Sequence, residues 1–348
     1  MVRMAATMRD VAALAGVSVK TVSRVVNLEP HTRPEVVRRV RAAIAELEWV
    51  PNGSARTLRT GRTGVIGVGV SELRRPYLSM ITEAVVAELN RRGLQATVEP
   101  THDQPGRLAA LLDARGRLFD GLVLIGPGAV DDATPLGLTG ADGSAAPTAL
   151  AALVPTDAVV LVHHGETTVA DSVDPDLVEA ASLVARHLVV MGRSRPALVG
   201  QDRTAHGDES MTAAFLAAGI TATAPRVDGV TSRADGARAV TELLAADPQI
   251  DALVCGSDEL ALGALYALLG SGVAVPDQVA VFGFDNLDDA SFSTPSLTTV
   301  DPGAARLARA AVELLADRLA GTGGDMARRV ISPVELVRRE STLGAGLR

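Results

Sequence analysis

The first fifty residues place apolar side chains at helical spacing, and the rest of the chain switches to strand-sized apolar runs. Thr7-Met-Arg-Asp10 has the spacing of a capping box with Asp in place of Glu. Val11, Leu14 and Ala15 follow it, so a first helix begins there and stops at Gly16. Gly16-Val17-Ser18 supplies a tight turn, and Ser18 can cap a second helix, Val19–Val26, that turns Val22, Val25 and Val26 inward. Thr32-Arg-Pro34 opens a third, whose stripe of Val36, Val37, Val40, Ile44 and Leu47 runs until Val50-Pro51 breaks it. The pattern is a helix-turn-helix closed by a third helix, a module of about 50 residues.

From residue 64 the period changes. Apolar runs at 65–70, 95–98, 121–125 and 158–162 alternate with helical stretches at 77–90 and 106–114. A second series places helices at 176–190, 208–218, 233–246 and 259–269 and strands at 196–200, 252–255 and 279–282. This alternation predicts an α/β core of two doubly wound parallel-sheet lobes, with small ligands at the carboxyl ends of the strands. Residues 51–62, rich in Gly, Ser and Thr, join head to core and make a poor isolated helix.

Charge sharpens the division. Residues 1–62 carry 11 Lys and Arg against five acids, a net +6, whereas the remaining 22 basic and 36 acidic residues give −14. A basic head on an acidic body points to a polyanion-binding module fused to a part that does not touch polyanions. In the second helix Lys20 and Arg24 share a face four residues apart, and Val19, Lys20 and Thr21 sit at the end that a recognition helix presents to the major groove. Lys20 and Arg24 can donate to guanine O6 and N7, and Val19 can pack on a thymine methyl. Thr7, Ser18, Thr21, Ser23 and Asn27 are better suited to capping helix ends or reaching phosphates.

The run Asp10-Val-Ala-x-x-Ala-Gly-Val-Ser-x-x-Thr-Val-Ser-Arg-Val-Val-Asn27, followed by Ala42-Ala-Ile-Ala-Glu-Leu47 and Pro51-Asn52, closely resembles the LacI/GalR (lactose/galactose repressor) family of bacterial transcriptional regulators. The resemblance continues through Arg75-Pro-Tyr77, Asp120-Gly-Leu-Val-Leu124, Val281-Phe-Gly-Phe-Asp285, Leu297-Thr-Thr-Val300 and Arg339-Glu-Ser-Thr342. It implies a head over 1–50, a hinge over 51–62 and a periplasmic-binding-protein-like core over 63–348 for effector binding and dimerisation. The first lobe is then expected at 64–174 and 304–330, and the second at 177–300 and 332–348. It also implies that the hinge becomes helical on the operator and presses Leu58, helped by Ala55, into the minor groove as a wedge. Arg56 and Arg59 would add phosphate contacts, and Asn52 belongs to the same DNA-binding set.

For the core, the strand-end residues Ser257, Asp258 and Asp285 are candidate effector contacts, their oxygens suited to sugar or nucleoside hydroxyls. Tyr77 either stacks on a ligand ring or packs between lobes, and Asp176 matches an acid that the family usually follows with Asn, here Leu177. The family's effector-gripping Arg-x-x-Gly-aromatic motif is replaced by Gly207-Asp-Glu-Ser-Met211, and Arg203, four residues upstream, is the candidate substitute. The effector expected is a sugar or sugar derivative.

Other chemistries find little support. Val65-Ile-Gly67-Val-Gly69 lacks the third glycine of a dinucleotide turn, Glu72 standing in its place, so no cofactor is expected. His163-His164 reads as a lobe-junction loop rather than a metal site. No nucleophile or acid–base pair assembles an enzyme. Without an apolar run of roughly 18 residues or a leader-like N-terminus, and with the single cysteine Cys255, the chain is expected to act in the cytoplasm, at the nucleoid, away from membranes. The expected protein is an effector-modulated repressor, a homodimer on a pseudo-palindromic operator, with no tetramerising tail after Thr342. A solute-binding protein explains only the core, and a regulator that has lost small-molecule control remains open.

Overall fold

The head builds on its own local signals. A computed structural model of the protein describes residues 6–26, 32–49, 62–102, 104–126, 153–165, 167–200, 205–220, 226–227 and 231–344. It divides into two units, 1–63 and 64–348. In the first, α1 (Met8–Ala15) starts from a reciprocal capping box. The Thr7 hydroxyl accepts from Asp10 N at 3.4 Å, and the Asp10 carboxylate accepts from Thr7 N at 2.8 Å. Gly16 ends the helix in the left-handed region, φ 62°. Arg39, from α3 (Pro34–Glu46), donates to the carbonyls of Ala15 and Gly16 and so closes the turn before α2 (Val19–Val26). Val11, Ala12, Ala15, Val22, Val25, Val40 and Ala43 form the small core, and Trp49, just past α3, completes it.

The second unit contains two six-stranded sheets. The first lobe is built on β1 (Val65–Val70), β2 (Gln95–Pro100), β3 (Gly121–Ile125), β4 (Val159–Val162), β5 (Asp171–Pro175) and β11 (Arg329–Ser332), ordered β11-β5-β4-β3-β1-β2 and parallel throughout. Helices α4 (Pro76–Arg91), α5 (Pro105–Asp113) and α11 (Ala304–Ala320) belong with it. The second lobe takes β6 (Pro196–Val199), β7 (Arg226–Val227), β8 (Ala252–Cys255), β9 (Ala280–Phe284), β10 (Thr298–Asp301) and β12 (Glu335–Val337) in the order β12-β10-β9-β8-β6-β7. Only β12 runs antiparallel. Its helices are α6 (Leu177–Val190), α7 (Ala205–Ala217), α8 (Arg233–Ala246), α9 (Asp258–Gly270), α10 (Asp288–Phe292) and the final turn α12 (Glu340–Leu343).

The chain passes between lobes three times, after β5, after β10 and after β11. The strand β5 places His163-His164 in a loop inside the first lobe, between β4 and β5, rather than at the junction. Asp174 holds that loop, its Oδ1 accepting from His164 N at 3.0 Å and Gly165 N at 2.8 Å. At the other end of β5, the buried Asp171 carboxylate is gripped by Arg318 of α11 and by Arg328, at 2.6–3.2 Å. In the second lobe α8 and α9 touch backbone to backbone: a Cβ on Gly263 would lie 1.9 Å from the Arg233 carbonyl oxygen. No helix among the described residues is long and apolar enough to cross a membrane.

Candidate functional site

The outer face of α2 follows from its inner one. With Val22 and Val25 buried, the turn geometry leaves Val19 and Lys20 exposed at the N-terminal end and Thr21, Ser23 and Arg24 half-buried. Ser18 Oγ accepts from Thr21 N at 3.1 Å and bonds the Thr21 hydroxyl at 2.9 Å, while Thr7 is held by Asp10. Thr7 and Ser18 therefore cap α1 and α2, Thr21 being bonded to Ser18, and Val19 and Lys20 are the exposed side chains at the start of α2, with Arg24 half-buried one turn further on. Asn27, Asn52, Ala55, Arg56, Leu58, Arg59 and Arg203 lie outside the described residues.

In the core, the strand ends bring several of the expected residues into order, each with a definite task. Asp176 caps α6, its Oδ1 accepting from Glu179 N at 2.9 Å beside the first crossover. Ser257 caps α9 through Leu260 N. Asp258 is fully buried and turned inward: Oδ2 accepts from Leu287 N at 2.8 Å and Oδ1 from the Thr299 hydroxyl at 2.6 Å. The space for it exists because Gly283 lies opposite, where a Cβ would sit 2.1 Å from Oδ1. Burial pushes the Asp258 carboxyl up to about 7, against the pull of its two hydrogen bonds and of Arg339.

That elevation fixes a sign. A carboxyl that stays protonated in the folded chain while the unfolded chain ionises costs stability as pH rises. The cost is absent below the unfolded value near 4 and complete above about 7. Asp258→Asn, which can keep both hydrogen bonds by donating to Thr299, removes it. The stability of Asp258→Asn relative to wild type is expected to climb between pH 4 and pH 7, by up to ~4 kcal/mol, in parallel urea titrations.

Asp285 follows β9 under strain. Its φ is 122° and that of Asn286 is 53°, both in the region that favours glycine, a conformation costing of order 1–3 kcal/mol for other residues. The backbone N–H of Asp285 donates to the Val300 carbonyl at 2.9 Å, and the residue is buried. Asn286 is fixed on three sides. Its N–H donates to Thr299 Oγ1 at 3.2 Å, its side-chain amide donates to Asp301 at 3.1 Å, and its carbonyl oxygen accepts from Arg339 at 2.8 Å. Leu287 then packs in the first lobe's apolar cluster with Tyr77 and Leu78. The His163 ring lies edge-on to Tyr77 at 5.6 Å. Sequence reasoning missed Asn286, Arg339 and Thr299. Among the described residues no group of three or more His, Cys, Asp or Glu could hold a metal ion.

A helix-turn-helix head followed by two parallel lobes joined by three crossovers defines a ligand-responsive DNA-binding regulator as the class. Residues 7–52 match the family described as bacterial regulatory proteins, lacI family, and residues 185–342 match a periplasmic binding protein-like domain. The HTH-type transcriptional repressor PurR of Pectobacterium carotovorum subsp. carotovorum (strain PC1) is 30% identical over 346 residues, 96% of each chain. The lac repressor dimer bound to operator and the anti-inducer ONPF is 27% identical, with a TM-score of 0.77 over 97% of this chain and 99% of that one. A complex of the transcriptional regulator CelR with cellobiose is 28% identical, with a TM-score of 0.66 and the same coverage. This chain belongs to the lacI family of bacterial regulatory proteins.

Proposed function

We propose that this protein is a cytoplasmic, nucleoid-bound transcriptional repressor rather than an enzyme. It binds a pseudo-palindromic operator as a homodimer and is modulated by a sugar or sugar derivative in the cleft between its lobes. The observation that carries the DNA half is the exposed N-terminal end of α2, with Val19 and Lys20 outward over a core built by Val22 and Val25. Lys20 and Arg24 read bases, and Ser23 and Asn27 reach phosphates, with Thr7, Ser18 and Thr21 shaping the helix ends from which such contacts are made. In the hinge, Leu58 and Ala55 form the minor-groove wedge, Arg56 and Arg59 add phosphate contacts, and Asn52 joins the DNA-binding set. The relatives named as repressors, and the operator-bound lac repressor dimer, support this reading. A solute-binding protein would have no use for such a head.

The partner of the dimer is a second copy of this chain. Tyr266 (79% exposed) and Leu269 (53%) lie three apart on α9, and Phe292 (87%) ends α10. Arg233 ties α10 to the start of α9 through Asp289 and Glu259, so these side chains stand on neighbouring elements. Large exposed apolar groups of this kind mark surface that association buries.

For the effector, the strained Asp285 supplies the acceptor for ligand hydroxyls, and Tyr77 supplies an apolar wall. Asp176, Ser257 and Asp258 build the cleft from behind, since their oxygens are held by helix caps and by the lobe interior. Arg203 stands as the candidate replacement for the missing family arginine. The likeness to a regulator complexed with cellobiose supports a saccharide. The test is the melting temperature of the full chain against sugars, sugar phosphates, nucleosides and purines. A ligand at 100 times its Kd stabilises by about 2.7 kcal/mol. The shift is expected in wild type and absent in Asp285→Gly, which removes the carboxylate while tolerating the same φ. No shift from any compound would contradict effector control by small molecules.

A further inference from the structure

The turn after β9 reaches from one lobe into the other. Leu287, 4% exposed, follows a second-lobe strand yet belongs to the buried apolar cluster of the first lobe, to which α4 contributes Tyr77 and Leu78 and α11 Leu307 and Ala308. Its own N–H is held from behind by Asp258 at 2.8 Å. A polar route runs beside this apolar one. Asn286 donates to Asp301 Oδ2 at 3.1 Å, and Asp301 Oδ1 accepts from Gly303 N at 2.7 Å, at the crossover from which α11 starts. Arg339 fixes the same asparagine from the last turn of the chain, at 2.8 Å, and holds the Leu297 carbonyl at 2.8 Å. The polar route arrives at the start of α11, and the apolar one enters the first-lobe cluster to which α11 contributes.

We propose that Leu287 is a plug that latches the two lobes together, and that the Asp285–Asn286 turn is the lever through which an occupant of the cleft tightens or releases it. The second half rests on Asp285 facing the effector. The logic is that of a bistable interface: a buried side chain either occupies its socket or leaves it, so a small movement of the turn is converted into two discrete lobe arrangements. A ligand shifts their populations to the extent that it prefers one of them. Leu287 acts on lobe geometry and is a positioning residue.

The test is the interlobe distance in the full chain without DNA or ligand. Spin labels are placed at the exposed positions by Gln95→Cys in the first lobe and Ser271→Cys in the second. The buried Cys255 is replaced by Ser throughout, and the doubly labelled chain is diluted into unlabelled protein. Pulsed electron–electron double resonance should give one narrow distribution with Leu287 in place and a second, longer population in Leu287→Ala. Leu287→Val should give a smaller second population, which keeps the test open if the alanine variant folds poorly. Asn286→Gly, which keeps the turn but cuts its ties to Asp301 and Arg339, should also populate the longer distance. Leu89→Ala removes a fully buried side chain of the same cluster from the far end of α4. It should lower the melting temperature and leave the distribution unchanged. Distributions superimposable on wild type in Leu287→Ala, or a second population in Leu89→Ala as well, would overturn the latch. Since neither DNA nor effector is present, that failure would leave the operator and effector readings standing.

Discussion

Asp171→Ala is expected to destabilise the core by ~3–5 kcal/mol, the usual cost of leaving buried charge without its partner. The Asp171 side chain is fully buried, and it accepts from Arg318 Nε and Nη2 at 2.9 and 2.6 Å and from Arg328 N, Nε and Nη2 at 2.8, 3.2 and 2.8 Å. Arg318, whose side chain is 2% exposed, also donates to the carbonyls of Gly324 and Met326, and Arg328 reaches Asp317 at 2.7 Å. One carboxylate thereby anchors α11, the return loop and β11 to the base of β5. Burial pushes the Asp171 carboxyl up, but the hydrogen bonds of the two arginines outweigh it and hold it below the ordinary value. The stabilisation is accordingly present above the unfolded carboxylate value near 4 and is lost as pH falls through the lower folded value. Asp171→Asn, which keeps one acceptor oxygen, should lose less. Urea titration at neutral pH measures both, and a loss under ~1 kcal/mol for the alanine variant would mean that the guanidiniums find other acceptors.

Arg24→Ala is expected to weaken binding to the selected operator by ~10–100-fold, the ~1–3 kcal/mol of a bidentate guanine contact, while binding to random DNA falls much less. Arg24 is half-buried on α2 and lies one turn beyond the exposed Lys20, so its removal leaves Val22 and Val25 in place. Arg39→Ala is the informative contrast. Arg39 donates to the Ala15 and Gly16 carbonyls, so its loss should lower the melting temperature of the head and reduce binding to all sequences alike. Titrations on operator and random duplexes at matched salt separate the two. An equal loss on both for Arg24→Ala would remove its base-reading role.

Legibility followed the range of the interactions. The head was readable because its caps and apolar stripes act within four residues: the Thr7–Asp10 box and the Gly16 stop lie where local spacing puts them. Trp49 was not anticipated, because a lone aromatic past a helix end carries no period. Apolar strands such as β3 and β4 announced themselves, whereas β5, Asp171-Ser-Val-Asp-Pro175, offers only Val173 and a proline as apolar side chains and was missed. Its charge partners stand 147 and 157 residues away, so no spacing rule links them. The strand-end rule singled out Ser257, Asp258 and Asp285 as effector contacts, whereas Ser257 caps α9 and Asp258 turns inward. It could not foresee that Gly283 opens a slot into which the Asp258 carboxyl turns, nor that Asn286 would take up Arg339 from the far end of the chain. The one available signal was Phe282-Gly-Phe284, a glycine inside a buried strand, which marks a close approach by another group.

Whether this chain reads DNA with two-fold symmetry through α2 is tested most directly by selection from a random duplex library with the purified 348-residue chain. The account predicts one enriched family of pseudo-palindromic sites, with a flexible pyrimidine–purine step at the centre and half-site preferences that relax in Arg24→Ala. A library that emerges unenriched, or enriched for a single asymmetric site, would contradict it.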